Sequence, residues 1–209
     1  MRPHRLTILA AAFLALPAPC CNEYPVEHCA AGQGITLDPG GVPRRGPAQA
    51  PVELVLFGDL QCPYTRYAIL LLDSYLAELA DEPDGERVRL LFRHFPLEQI
   101  HSRARAAALA LAAAHRQGDE AFWRLIRVLI YADDLSDEAL RSYAAVAGLA
   151  LPSFDADYTD PATAAVVDRD LVLAMELRLP GTPSFILCGV PVSYDPEEVI
   201  ANIEAILER

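Results

Sequence analysis

The chain contains no lysine: all 17 of its basic residues are arginine. That excludes a Schiff-base mechanism, a lysine general base and a Walker-type phosphate loop. Positive charge is scarce altogether, 17 basic residues against 29 acidic ones. The resulting net charge of -12 repels nucleic acid and anionic membrane surfaces. No glycine-rich loop joins a strand to a helix, since "GQG" lies in a Pro/Gly-rich stretch, and no nucleophile elbow is present. Metal-binding spacings are missing as well. His94, His101 and His115 are seven and fourteen residues apart, with no H-E-x-x-H pair and no cysteine pair beside them, which points to structural roles. Neither a metal nor a cofactor is expected.

What is there begins with a leader. "MRPHR" is basic, and "LTILAAAFLALPAP" is a short apolar run, too short to span a bilayer well, with a proline-rich end. Residues 1–21 are therefore expected to be a signal peptide or lipoprotein signal, and the protein to be exported to a bacterial periplasm or cell envelope. Two fates stay open: acylation of Cys20 or Cys21, which would anchor the chain in lipid, or simple release. Residues 22–50, rich in Gly and Pro and without an apolar period, read as a flexible linker. Cys29 is expected to pair with Cys21 or Cys20 if these survive processing. Cys188, in an apolar run, reads as a small buried hydrophobe.

The rest is long enough for one good core. "PVELVLFGDL" predicts a strand, and the recurrence of Ile69, Leu72, Leu76 and Leu79 an amphipathic helix, closed by "DEPDG". "RVRLLFRHFP" predicts a second strand. Helical stretches follow: "SRARAAALALAAAHRQG" to Gly118, "DEAFWRLIRVLIYA" with Phe122, Leu125, Ile126 and Leu129 on one face and Trp123 in the core, and "SDEALRSYAAVAG", capped by Ser136 and stopped by Gly148. "DPATAAVVDRDLVLAMELRL" has an Asp-Pro start. Two short strands, "SFILC" and "VPVSY", come next. The final helix has Asp195 as cap, Pro196 in its first position and Glu198 completing a capping-box-like start. The order is β-α-β, several helices, then α-β-β-α.

The chemistry centres on "GDLQCPYTRY". Cys62 stands directly after a strand and at the start of a helix. Unpaired first-turn N–H groups and the positive helix end favour thiolate over thiol there. Pro63 suits a first turn because it has no N–H to lose. The competing reading is a buried cysteine that merely finishes a strand. Arg66 either adds positive potential beside Cys62 or is a solvated helix residue.

"LPGTPSFIL", a turn into a strand, resembles the cis-proline loop of the thioredoxin superfamily. Together with "APVELVLFGDLQCPY", "VRLLFRHFPL" and the alanine-rich helix after "IHSRARAAA", the chain over about residues 47 to 209 resembles DsbA-like thiol:disulfide oxidoreductases. The resemblance implies an α/β thioredoxin-like fold with an inserted all-α domain. The thioredoxin-like part would be 51–97 and 162–209, and the insertion 98–161. It also implies that Cys62 is the nucleophile, with Pro63 and Tyr64 tuning it, and that Pro183 is the cis proline, with Thr182 offering backbone to an extended peptide. Asp59 matches the acidic residue found three positions before the cysteine, either for proton transfer or as a turn residue bonding nearby backbone.

One position departs from the pattern. Family members with two thiols carry cysteine where this chain has Thr65, so "CPYT" cannot close the usual disulfide. Cys188 is no substitute: five strand residues beyond Pro183, it is on the order of 15 Å away, beyond disulfide reach. A monothiol can still form mixed disulfides, with release by a second thiol. Thr65 could also donate a hydrogen bond to the thiolate, or be only a small polar residue in a first turn. The expectation is a monothiol exchange protein of isomerase or reductase type. Its partners would be extended cysteine-containing proteins or peptides and a thiol reductant. The alternative is a non-catalytic peptide-binding or holdase module with a degenerate site.

Overall fold

A computed structural model of the protein describes Cys29 and residues 34–208. The expected signal segment and Cys20 and Cys21 lie outside the described residues. In chain order the elements are β1 (Arg44–Arg45), β2 (Val52–Gly58), α1 (Pro63–Leu79), a short 3₁₀ turn (Pro83–Arg87), and β3 (Val88–His94). Next come α2 (Ala104–His115), α3 (Asp119–Leu129), α4 (Asp137–Val146), α5 (Leu151–Tyr158) and α6 (Pro161–Glu176). The chain finishes with β4 (Ser184–Leu187), β5 (Val190–Pro191) and α7 (Pro196–Leu207).

The five strands form one sheet in the order β1-β3-β2-β4-β5. β2 and β3 pair in parallel, from Val52 opposite Val88 to Gly58 opposite His94, and α1 makes the crossover between them. The other pairings are antiparallel. A strand places alternate side chains on opposite faces. Leu54, Leu56, Leu90, Phe92, Phe185 and Leu187 accordingly point to one side, where they pack with Ile69 and Leu72 of α1, Val199 and Ile203 of α7, and the helices after β3. Val55, Phe57, Leu91 and Ile186 point to the other, against Leu37, Val42, Phe95 and Ala174 of α6. With both faces covered, β2 and β3 read as near-continuous apolar runs. Each such Leu or Phe contributes about 1.5–3 kcal/mol by leaving water.

The segment 34–50 is not a free linker. Leu37, Val42 and Ala50 are buried, β1 adds a strand to the sheet edge, and the Arg44 carbonyl accepts from Trp123 Nε1 at 2.9 Å. Gly46 permits this with φ +92°, where a Cβ would collide with the Val88 carbonyl at 2.4 Å. Its Gly and Pro residues are turn makers in a packed strap, and apolar residues too widely spaced to show a period bury it.

Three further expectations change. Cys188 is not a lone buried thiol, and Cys29 does not need Cys20 or Cys21: the two are joined to each other, with Cα atoms 5.0 Å apart. A contact across 159 residues of sequence leaves no local signal. The capping box at α7 is only half formed, because Asp195 accepts from Glu197 N while its own N–H goes to Ser193 Oγ rather than to Glu198. Helix α5, over "LPSFDADY", was not expected. It has no side-chain cap, and Phe154 is its one buried residue, so its amphipathic signal is faint.

Candidate active site

Cys62 is the N-cap residue of α1, with extended backbone (φ −74°, ψ 120°), and Pro63 opens the helix. No side chain caps this first turn and no acid lies in it. Its first N–H groups therefore have no side-chain acceptor. The Cys62 thiol donates to the Thr182 carbonyl, with Sγ 3.2 Å from the oxygen, although 120 residues separate them. The Thr182–Pro183 peptide bond is cis. The fold thus brings the Cys62 turn and the Thr182–Pro183 loop together at the edge of β4. Cys62 is 5% exposed, and among the described residues it is the free cysteine.

Thr65 lies one helical turn on and is fully buried. Its Oγ1 accepts from Asp59 N at 3.4 Å. The hydroxyl is thus directed to the turn below, with no hydrogen bond to Cys62. Its methyl packs against Gly58, where an added Cβ would stand 2.9 Å from Thr65 Cγ2 and 2.8 Å from the Phe92 ring. The residue that replaces the second cysteine is a packed component of the strand–helix junction.

Asp59 is likewise buried, and its carboxylate organises the turn. Oδ1 accepts from Gln61 N at 2.8 Å; Oδ2 accepts from Leu97 N at 3.0 Å and from His101 Nδ1 at 2.8 Å. The turn-residue reading of Asp59 describes these contacts. Gln61 continues the stitching, its Oε1 accepting from Arg103 N at 2.7 Å. Arg66 donates to the Leu60 carbonyl and, at 2.7 Å, to the Ala132 carbonyl, so its guanidinium is tied to backbone rather than free in solvent. The sequence carried no signal for Gln61 or for the Asp59–His101 contact. Both depend on the loop after β3 returning to the turn after β2.

Beside the sulfur runs a groove of about 340 Å³ lined by Tyr64, Pro180, Gly181, Thr182, Pro183 and Tyr194. Tyr64 and Tyr194 are both largely exposed. Tyr194 was not expected at the site, since it follows β5 and reaches the groove only through the sheet order. Below it, Tyr67 of α1 donates to Glu197 Oε1 of α7 at 2.6 Å, and this bond raises the tyrosine's pKa above its ordinary value.

The histidines separate. His115 bonds Asp119 Oδ1 at 3.1 Å, and His101 belongs to the turn. His94 is buried against Phe92 and Phe122, with no hydrogen-bond partner for either ring nitrogen. Burial lowers its pKa to about 4, partly offset by nearby Asp170. Asp170 in turn holds Arg93 at 2.7 Å in a buried ion pair and accepts from His94 N at 3.1 Å.

A parallel β2–β3 pair with its crossover helix, flanked by antiparallel β4 and carrying a cysteine at the helix start against a cis proline, defines a thioredoxin-type fold and site. A family model described as thioredoxin matches residues 40–205, and the chain belongs to that family. The fold is of the DsbA-like type, thioredoxin-like with helices α2–α5 between β3 and α6. It is similar to BdbD from Bacillus subtilis (TM-score 0.68, 20% identity, 84% of this chain and 98% of that one). It is also similar to a thioredoxin-like oxidoreductase from Silicibacter pomeroyi (0.67, 23%, 81% and 94%) and to alpha-DsbA2 from Wolbachia pipientis (0.66, 17%, 79% and 87%). Among curated sequences it is 33% identical over 156 residues to the Na(+)/H(+) antiporter NhaA 3 of Salinispora tropica, covering 74% of this chain and 23% of that one. Over 181 residues it is 33% identical to the Na(+)/H(+) antiporter NhaA 1 of Mycobacterium sp. (strain KMS), covering 82% and 28%. The chain spans about a quarter of the length of these antiporters. No helix among its described residues is long and apolar enough to cross a membrane.

Proposed function

We propose that the protein is an exported monothiol exchanger, acting by isomerisation or reduction on cysteine-containing peptides held extended beside Pro183. The observation that carries this reading is the Cys62 sulfur, set at an uncapped helix start and 3.2 Å from the Thr182 carbonyl. In the proposed cycle Cys62 loses its proton and the thiolate attacks one sulfur of a substrate disulfide. That bond breaks as the mixed disulfide forms, and the second substrate sulfur leaves as a thiolate. A thiol from the substrate, from a low-molecular-weight thiol or from a second protein then attacks the mixed disulfide and returns Cys62 to its reduced form. With Thr65 in the second position, no thiol one helical turn from Cys62 competes for this step.

The groove supports substrate capture. An extended segment can pair with the half-buried backbone at Gly181 and Thr182 while a neighbouring side chain lies between Tyr64 and Tyr194. Export is supported by the Cys29–Cys188 bond, because structural disulfides persist in oxidising compartments. In a lipid-anchored form, Cys20 or Cys21 would carry the acyl chain.

The test is capture. Cys62 should trap partners as mixed disulfides in non-reducing extracts of the cell envelope, and Cys62→Ala should trap none. Thr65→Cys should gain turnover in an insulin-reduction assay, since a second sulfur one turn away permits intramolecular release. The burial of Cys62 favours a second reading, a groove that binds peptides without exchange. Peptide retention unchanged in Cys62→Ala, with no mixed disulfide in the parent, would decide for it.

A further inference from the structure

Two tyrosines from distant parts of the chain line the groove beside Cys62: Tyr64 in the first turn of α1 and Tyr194 after β5. They are 72% and 68% exposed. Rings left in water on one groove offer it their π faces, which attract a cation. No cation of this chain takes that place. None of the lining residues is charged. Arg66, the arginine of α1, is held by the Leu60 and Ala132 carbonyls, and Arg178, exposed ahead of Pro180, is not among the lining residues.

Carboxylates stand at the same end. Asp195 directly follows Tyr194, and Glu197 lies in the first turn of α7. Glu197 Oε1 accepts from Tyr67 OH at 2.6 Å, and Tyr67 is one helical turn from Tyr64 on α1. The hydrogen bond from Glu197 foremost, and the charge of Asp195 after it, raise the pKa of Tyr67, so both acids lie beside this helix. The bonds they make are to uncharged donors: Asp195 accepts from Glu197 N at 3.0 Å, and Glu197 from the phenol. Their charge is left to act on the groove, in a chain whose net charge is -12. On the opposite wall the Thr182 hydroxyl is buried with no hydrogen-bond partner among the described residues, and a polar occupant would supply one.

We infer that the groove selects substrates in which an arginine flanks the reacting cysteine, its guanidinium held by the rings of Tyr64 and Tyr194 and by the carboxylates of Asp195 and Glu197. A guanidinium suits both kinds of partner, because its plane stacks on aromatic faces while its edge donates to carboxylates. A leucine at that position gains the ring contacts alone, and a glutamate meets like charge. The inference names the substrate class of the proposed exchange site and so rests on Cys62 being the exchanging thiol.

The test uses the full chain with the Cys29–Cys188 bond intact and short peptides whose single cysteine is capped by 2-thiopyridine and flanked by Arg, Leu or Glu. The Cys62 thiolate attacks the peptide sulfur, the capping bond breaks, and 2-thiopyridone leaves and is read by its absorbance. Each rate is divided by that of the same peptide with free cysteine, which removes the neighbour's effect on the sulfur itself. The Arg peptide should react roughly threefold to tenfold faster than the Leu peptide, with Glu slowest, and the Arg advantage should shrink as salt rises. Glu197→Gln, whose amide oxygen still accepts from Tyr67, and Tyr194→Leu, which keeps an apolar wall, should each lower the Arg-to-Leu ratio. Equal normalised rates, or a faster Leu peptide, would overturn the inference and leave exchange standing. A parent that reacts with none of the peptides overturns the exchange reading instead. The groove is then judged on Cys62→Ala by fluorescence anisotropy of the same peptides with serine for cysteine, where equal retention of Arg and Leu overturns the inference.

Discussion

The molecule keeps two sulfur sites, and they differ in what surrounds them. Cys29 and Cys188 tie residue 29 to the end of β4, and a bond closing so long a stretch restricts the unfolded chain strongly. Cys62 closes nothing. It occupies a helix start where an oxygen would serve stability better. Helices α6 and α7 show what that start normally looks like: Asp160 and Asp195 each precede a proline, and each accepts a first-turn N–H, at 2.9 and 3.0 Å. At α1 the same X-Pro start carries sulfur, and no side chain caps the turn. One site supplies stability, and the other leaves stability unclaimed where the proposed chemistry needs free N–H groups.

The largest expected effect that sharpens this contrast comes from opening the bond. Replacing Cys29 and Cys188 together by alanine should cost about 2–5 kcal/mol in chemical denaturation. Alkylation of Cys62 should stay within about twofold of the parent, because the two sites share no hydrogen bond. A matching loss of Cys62 reactivity would break the separation of roles.

Acid acts on stability through His94, away from the Cys62 turn. His94 is neutral in both states above about pH 6.5, its unfolded value. As pH falls from there, the unfolded chain takes up the proton and folded His94 resists it until about pH 4. Stability should decline across that window by about 3 kcal/mol, and His94→Phe should flatten the decline because Phe92 and Phe122 already surround the ring. Denaturant midpoints measured from neutral to acid pH check this. An unchanged acid limb in His94→Phe would assign the loss to carboxylates instead.

The smallest effect is the most direct comparison of the two kinds of helix start. Cys62→Ser should abolish mixed-disulfide formation while changing stability by no more than about 1 kcal/mol, in the stabilising direction if the hydroxyl caps the first turn. Thermal unfolding beside a trapping assay reads both at once.

The fold was legible from repeating patterns. The apolar runs of β2 and β3, the three-to-four spacing of α1, and the caps of α4, α6 and α7 are local properties, and the structure follows them. Cys62, Thr182 and Pro183 were legible through motif resemblance, and the structure places the sulfur against the Thr182 carbonyl. The misses share a cause. Segment 34–50 buries isolated residues along a strap, Cys29 finds Cys188 across most of the chain, and Asp59 meets His101 only after β3 has returned beside β2. Thr65 left two readings open, a donor to the sulfur or a small polar residue of the first turn, and the structure follows the second: its hydroxyl accepts from Asp59 N and its methyl packs beside Gly58.

By itself the amino-acid order determined the elements and the position of the sulfur at a helix start, because periodicity, capping and proline act within a few residues. Only the tertiary structure decided what that sulfur faces, which carboxylate takes which N–H, and where the segments bearing Cys29 and Cys188 meet. Those are encounters between residues 40 to 160 positions apart, chosen by the sheet order and the packing on its two faces.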